Sequence, residues 1–281
     1  MFYFRLLRLV WTIVGKIINH KKESDEIKQS LNAEELRKNP YKDRNLPLEN
    51  VIGAFKRGFY EAALGATEKL MEDGNPTAEY CFYRGETLLH MGKLKDAERM
   101  LRQCLEMQPD QSLTTQAQRS LGNLMLALGR CDEALENFQL ILQRAPKNAI
   151  VHRAMAEANL VKGEPAEALR LARLAVDMQH ADRTLTHDLH SRFLGEELAT
   201  LAWALAANEG SAEKTEELVN EAVATVGLDF VCSTAQVHTQ AGAAYAALGQ
   251  TEKSAYHLGK AASIDMNGLW GRRAKAMMVA K

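Results

Sequence analysis

The residues best spaced to do chemistry are His187, Asp188 and His190, with His180 seven positions before the first of them. Two imidazoles three residues apart on a helix share a face, and a neighbouring carboxylate completes the donor set of a transition-metal site. An exposed polar insert is the commoner origin of such a pair, so no metal is assigned to it. The four cysteines, Cys81, Cys104, Cys131 and Cys232, are widely spaced and form no Cys-x-x-Cys pair. They signal neither structural zinc nor a redox motif, and reduced thiols in an intracellular compartment are expected. No Gly-rich phosphate loop, nucleophile elbow or His-Glu-x-x-His run occurs, and no carboxylates are paired as a general acid and base would be. The sequence therefore predicts a protein that is not an enzyme, with no cofactor, metal or small-molecule substrate.

Composition points the same way. Of 281 residues, 46% are hydrophobic and 25% charged, enough to bury the core of one elongated domain or two compact ones. The 35 Lys and Arg balance 36 Asp and Glu to a net charge of -1, so no global field draws in nucleic acid, which is not an expected partner. The balance is uneven along the chain. Arg5, Arg8, Lys16, Lys21 and Lys22 stand near one end without an acid, Arg272, Arg273, Lys275 and Lys281 near the other, and the body between them is acidic.

The elements that must position any site come from an internal repeat. Gly92-Lys-Leu-Lys-Asp-Ala97 recurs as Gly129-Arg-Cys-Asp-Glu-Ala134 and Gly163-Glu-Pro-Ala-Glu-Ala168, at steps of 37 and 34 residues. Gly85 and Gly122 precede two of these turn glycines by seven residues, and Pro109 and Pro146 follow them by seventeen. Between the landmarks the apolar residues, such as Leu88, Leu94, Ala97, Leu101 and Leu105, keep helical spacing. Each unit is thus a pair of helices. Small residues at Gly85, Gly122, Ala97 and Ala134 let the two approach closely, while Leu101 and Phe138 fill what remains. Weaker copies begin near Leu48 and end with Gly242, Tyr245, Gly249, Leu258 and Ala261, where Ser254 replaces the alanine. In the fifth unit a long insert, His180 to Phe193, precedes the helix. Its register is set so that Leu198, Leu201, Ala202 and Leu205 point inward, because Trp203 cannot occupy a glycine pocket.

Leu121-Gly122, Met125, Gly129, Glu133-Ala134, Phe138 and Pro146 resemble the tetratricopeptide repeat (TPR) family. The resemblance implies an all-α fold, a right-handed superhelical solenoid of about six helical hairpins, to which the residues at the two ends add an N-terminal amphipathic helix and a C-terminal capping helix. The expected divisions are 1–20 for the amphipathic helix, 21–47 for a polar tether, 48–266 for the solenoid and 267–281 for the cap, in which Leu269, Trp270, Met277 and Met278 pack on the sixth repeat. In such proteins the first helices line a concave wall that binds a protein or peptide. Carried onto this sequence, the wall holds Phe82, Glu86, Arg119, Asn123, Arg153, Glu157, Trp203 and Thr239. Arg119 and Asn123 match the basic-then-Asn pair with which chaperone-binding members clamp a peptide's terminal carboxylate. Ala154, Glu196 and Thr200 depart from the rest of that clamp, so capture of a Glu-Glu-Val-Asp tail is not expected. Arg153 also stands four residues before Glu157, the spacing of a surface ion pair.

At the start of the chain Arg5, Arg8, Thr12, Lys16 and Asn19 step by three or four residues and fall on one helical stripe. Phe2, Phe4, Leu7, Trp11, Val14 and Ile18 belong to the broad apolar arc opposite. Spanning a bilayer would place Arg8 near its centre, at a cost of roughly 2.5–3.5 kcal/mol. Lying in an anionic headgroup plane avoids that cost and is the preferred reading. A single spanning anchor, a helix docked on a partner or on the array itself, and a mitochondrial targeting peptide are the other readings. Two functions follow. One is a membrane-associated adaptor that binds a partner in its groove and aids complex assembly; the other is a soluble assembly chaperone or complex subunit whose N-terminal helix buries in a partner protein.

Overall fold

The structure, a computed structural model, describes residues 48–56, 58–73, 76–182, 184–226 and 231–279. The chain divides into two units, residues 1–47 and 48–281, and the helix and tether expected in the first lie outside the described residues. Among the described residues there are thirteen helices and no strand. They pair as α1 (Leu48–Lys56) with α2 (Tyr60–Asp73), α3 (Ala78–His90) with α4 (Leu94–Glu106), and α5 (Gln111–Ala127) with α6 (Cys131–Arg144). The series continues with α7 (Ala149–Lys162) and α8 (Pro165–Ala181), α9 (His187–Glu209) and α10 (Ala212–Val226), then α11 (Val231–Ala247) and α12 (Thr251–Ile264). A last helix, α13 (Leu269–Val279), follows. This is a solenoid of six helical hairpins with a terminal helix.

The turn within each hairpin is set by backbone geometry. Gly129 has φ +73°, and no atom lies within 4 Å of where its Cβ would stand, so the left-handed conformation alone requires glycine there. Seven residues earlier the requirement is space: a Cβ on Gly122 would stand 2.3 Å from a ring carbon of the fully buried Phe138. The same closeness recurs where Gly85 meets Leu101 and Gly242 meets Leu258. In the fourth and fifth hairpins alanine suffices, Ala156 packing with Ala172 and Ala202 with Val219. Ala97, Ala134 and Ala168 are fully buried near the start of each second helix. Ser254 stands in their place in the sixth hairpin, and its hydroxyl donates to the Gly242 carbonyl at 2.8 Å, so the substitution leaves no unmet polar group.

Between hairpins a polar residue caps the next helix. Thr77, Asp110 and Asn148 each accept the amide of the residue three positions on, at 3.3, 2.8 and 3.2 Å. The His180–Phe193 insert, expected to be a long polar excursion, is mostly helical instead. α8 runs to Ala181 and α9 starts at His187, giving α9 23 residues. The cause is apolar: Leu194 and Leu198 bury against Val176, Val226 and Val237, which makes extra helix more favourable than loop. α13 packs through Ala274, Met277 and Met278 onto Leu258 and Ala261.

Candidate partner-binding groove

The first helices of the hairpins, α3, α5, α7, α9 and α11, carry the residues expected on the inner wall. On α3, Phe82 is buried, edge-on to Tyr83 at 5.1 Å, and Glu86 is half-buried. Arg119 on α5 is half-buried, and burial pulls its guanidinium down, opposed by the carboxylates of Glu86 and Glu196 and reinforced by Arg153 and Arg192. It makes no hydrogen bond or ion pair with any described residue. Asn123, one turn along and half-buried, likewise has no side-chain hydrogen bond among the described residues.

Further along, the wall is satisfied from within. Arg153 Nη2 lies 2.9 Å from Glu196 Oε2, with both side chains at most 10% exposed. Glu196 also receives Arg192 Nε at 3.4 Å, and that nitrogen donates to Ser233 Oγ at 2.7 Å. Arg153 therefore pairs with a carboxylate on the next hairpin and not with Glu157, correcting the i, i+4 pair suggested by spacing. Glu197 beside them is fully buried, and burial lifts its carboxyl to about 8 against the pull of Arg153.

Glu157 has other partners. Its carboxylate accepts from Gln240 Nε2 at 3.2 Å and forms an ion pair with Arg273 of α13. The Arg273 guanidinium sits 6.0 Å from the Trp203 ring centroid and 5.2 Å from that of Trp270. Thr239 Oγ1 donates to Ala235 O at 2.8 Å and lies 3.3 Å from Trp270 O. α13 thus does more than cover the last hairpin. It lies along the inner wall and occupies Glu157, Trp203 and Thr239, which corrects the expectation of a groove open over all five first helices. One of its cations, Arg273, meets a buried acid there, Glu157 of α7. Hints of this existed in the sequence, in an acid-free basic end on an acidic body.

The same closure reaches back to the first hairpins. Arg272 Nη2 donates to the carbonyl of Leu89 at 3.3 Å and to that of His90, tying α13 to the end of α3. Cys232 Sγ lies 3.3 Å from Tyr60 Oη and 3.6 Å from His90 Nδ1. Tyr60 stacks on His90 at 5.0 Å, and Phe55 meets both rings edge-on. Burial pushes the His90 imidazole down, but the Cys232 sulfur and the Glu86 and Asp265 carboxylates outweigh it and raise it to about 9. Burial, then Cys232, raises the Tyr60 phenol. No local spacing could have disclosed this cluster, whose members lie 142 or more residues apart across the seam.

The histidines singled out by spacing do not converge. His190 Nε2 is 3.0 Å from the Gln179 carbonyl, which ties the ring to α8, and His180 is exposed. A cleft of about 490 Å³ lies between α8 and the end of α9, lined by Leu169, Arg173, Asp177 and Glu209, away from the inner wall. Its Arg173 and Glu209 pair with each other at 2.8 Å. Among the described residues no helix is long and apolar enough to cross a membrane.

Comparison with known proteins agrees with this architecture. Residues 77–147, spanning α3 to α6, match the family model described as tetratricopeptide repeat. The crystal structure of TTC0263, a thermophilic TPR protein of Thermus thermophilus, superimposes with a TM-score of 0.51 at 19% identity, covering 72% of this chain and 100% of that one. BtubC from P. vanneervenii aligns at 16% identity and a TM-score of 0.46, over 84% of this chain and 94% of its own. A search of curated proteins found no match.

Proposed function

The chain is a tetratricopeptide-repeat protein, and from that premise we propose that it is a non-enzymatic scaffold that binds an acidic peptide or helix of a partner on the inner wall between α3 and α7. One observation carries the reading. Arg119 is a half-buried cation on that wall with no ion pair among the described residues, whereas Arg153, Arg192 and Arg273 nearby are all paired. A half-buried guanidinium that feels the Glu86 and Glu196 carboxylates but forms an ion pair with neither gains from a ligand carboxylate, through charge-assisted hydrogen bonds. Asn123 offers an amide one turn along on α5, and Glu86 on α3 is half-buried, whereas Phe82 is buried in the core and is not available to a partner. A peptide library panned on the purified protein tests this. Enriched sequences carry an Asp, Glu or terminal carboxylate, and Arg119→Glu weakens them at least tenfold, about 1.4 kcal/mol. Equal binding to wild type and R119E excludes the site.

The membrane-surface role belongs to Phe2, Phe4, Arg5, Leu7, Arg8, Trp11, Val14 and Ile18. What supports it is the narrow cationic stripe on an otherwise apolar helical sequence. Such a segment would tether the solenoid and present its wall to partners beside the bilayer, with complex assembly as the outcome. Flotation with vesicles containing phosphatidylserine is expected to carry the full chain upward and to leave a chain lacking residues 1–20 at the bottom. Flotation of both forms alike removes the tether from the account.

A further inference from the structure

The seam brings together three side chains of metal-binding type from distant stretches: His90 in the last turn of α3, Cys232 at the start of α11, and Asp265 just after α12. One donor atom from each lies within 4.8 Å of the other two. His90 and Asp265 are buried and Cys232 is half-buried. The 3.6 Å between His90 Nδ1 and Cys232 Sγ is informative. Zinc bound to sulfur at about 2.3 Å and to nitrogen at about 2.0–2.1 Å, at a tetrahedral angle, holds those donors about 3.5 Å apart. We propose that His90, Cys232 and Asp265 bind a zinc-class divalent cation that clasps the last hairpin to the first two, with Tyr60 Oη or a water in the fourth position.

The donor chemistry selects the metal. Thiolate, imidazole and carboxylate in a four-coordinate set suit Zn²⁺ and exclude the all-oxygen preference of Mg²⁺ and Ca²⁺. A thiolate and a carboxylate also neutralise a dication, which a buried site needs. The groups around the donors are arranged to hold them. Asp265 Oδ2 accepts the backbone amides of Trp270 and Gly271 at 3.1 and 3.5 Å. A Cβ on Gly268 would stand 1.8 Å from Asp265 Oδ1, and one on Gly271 1.9 Å from the Asp265 carbonyl. The segment leading into α13 is therefore wrapped around this carboxylate. On the other side Tyr60 stacks on the His90 ring and Phe55 closes its edge, fixing the imidazole as outer-shell partners of a ligand do. The other cysteines cannot substitute: Cys81 and Cys104 are buried in the first core cluster, and Cys131 opens α6.

Chelator-stripped full-length chain titrated with Co(II) alone is expected to take up about one equivalent and to develop a thiolate-to-cobalt charge-transfer band. Zn(II) displaces the cobalt and raises the unfolding midpoint. Cys232→Ser abolishes the band, Asp265→Asn weakens Co(II) at least ~10-fold, and Cys131→Ser changes neither. The absence of a thiolate band in wild type overturns the proposal, as does unchanged Co(II) binding by C232S. Circular dichroism of the stripped variants separates a lost ligand from a lost fold. Should C232S fail to fold, an unchanged Co(II) affinity in D265N overturns the site by itself.

Discussion

Gly122 and Gly129 lie seven residues apart in one hairpin, and each is needed for a different reason. At Gly129 nothing surrounds the missing side chain, so Gly129→Ala is charged only for a left-handed backbone, about 1 kcal/mol. At Gly122 a methyl group would overlap the ring of Phe138, which is fully buried and has nowhere to go. Gly122→Ala is expected to destabilise by about 1–3 kcal/mol, and combining it with Phe138→Leu should return part of the loss. Urea unfolding of the three proteins measures both effects, and equal midpoints for the two single variants would show that the hairpin is not packed through that ring. These glycines were legible in the sequence because each repeats at a fixed distance from its neighbours. The partners of Arg153 and Glu157 were not. Their spacing suggested each other, while their counterions sit on α9 of the next hairpin and on α13 beyond the sixth, and the repeat period encodes neither contact.

Helices were read well where a stop signal coincided with a change of burial. The turn glycines Gly92, Gly129 and Gly163 mark where α3, α5 and α7 end, and the register that buries Ala202 and Leu198 follows from the bulk of Trp203, whereas the caps Thr77, Asp110 and Asn148 that start those helices came to light only with the structure. The His180–Phe193 stretch misled because the helical turns on either side of the short break between α8 and α9 hold too few apolar positions to show the period. α13 is the element whose role changed most. Its apolar side meets the sixth hairpin, and its cationic side enters the groove. Arg273→Glu is expected to expel that side by setting like charges together at Glu157. Hydrogen exchange should then speed up in α13 and at the α7 positions facing it, while α5 and α6 stay protected. Unaltered exchange in α13 would mean that the Glu157 pair is incidental to its placement.

At the scale of the whole described unit, stacked hairpins ordinarily touch only their neighbours, so their stability is close to a sum over adjacent pairs. Here contacts at the seam connect Tyr60 and His90 to Cys232, and Arg272 to the end of α3, across more than 140 residues. These are the contacts that repeat arithmetic cannot supply, because each repeat specifies the next and is silent about the one four or five places away. They also form late, since closing so long a span costs entropy that local helix pairing does not. A linear stack frays from whichever end is weaker. Once its two ends are fastened together, peeling has no place to start, and hairpins that would have melted one after another are made to give way together.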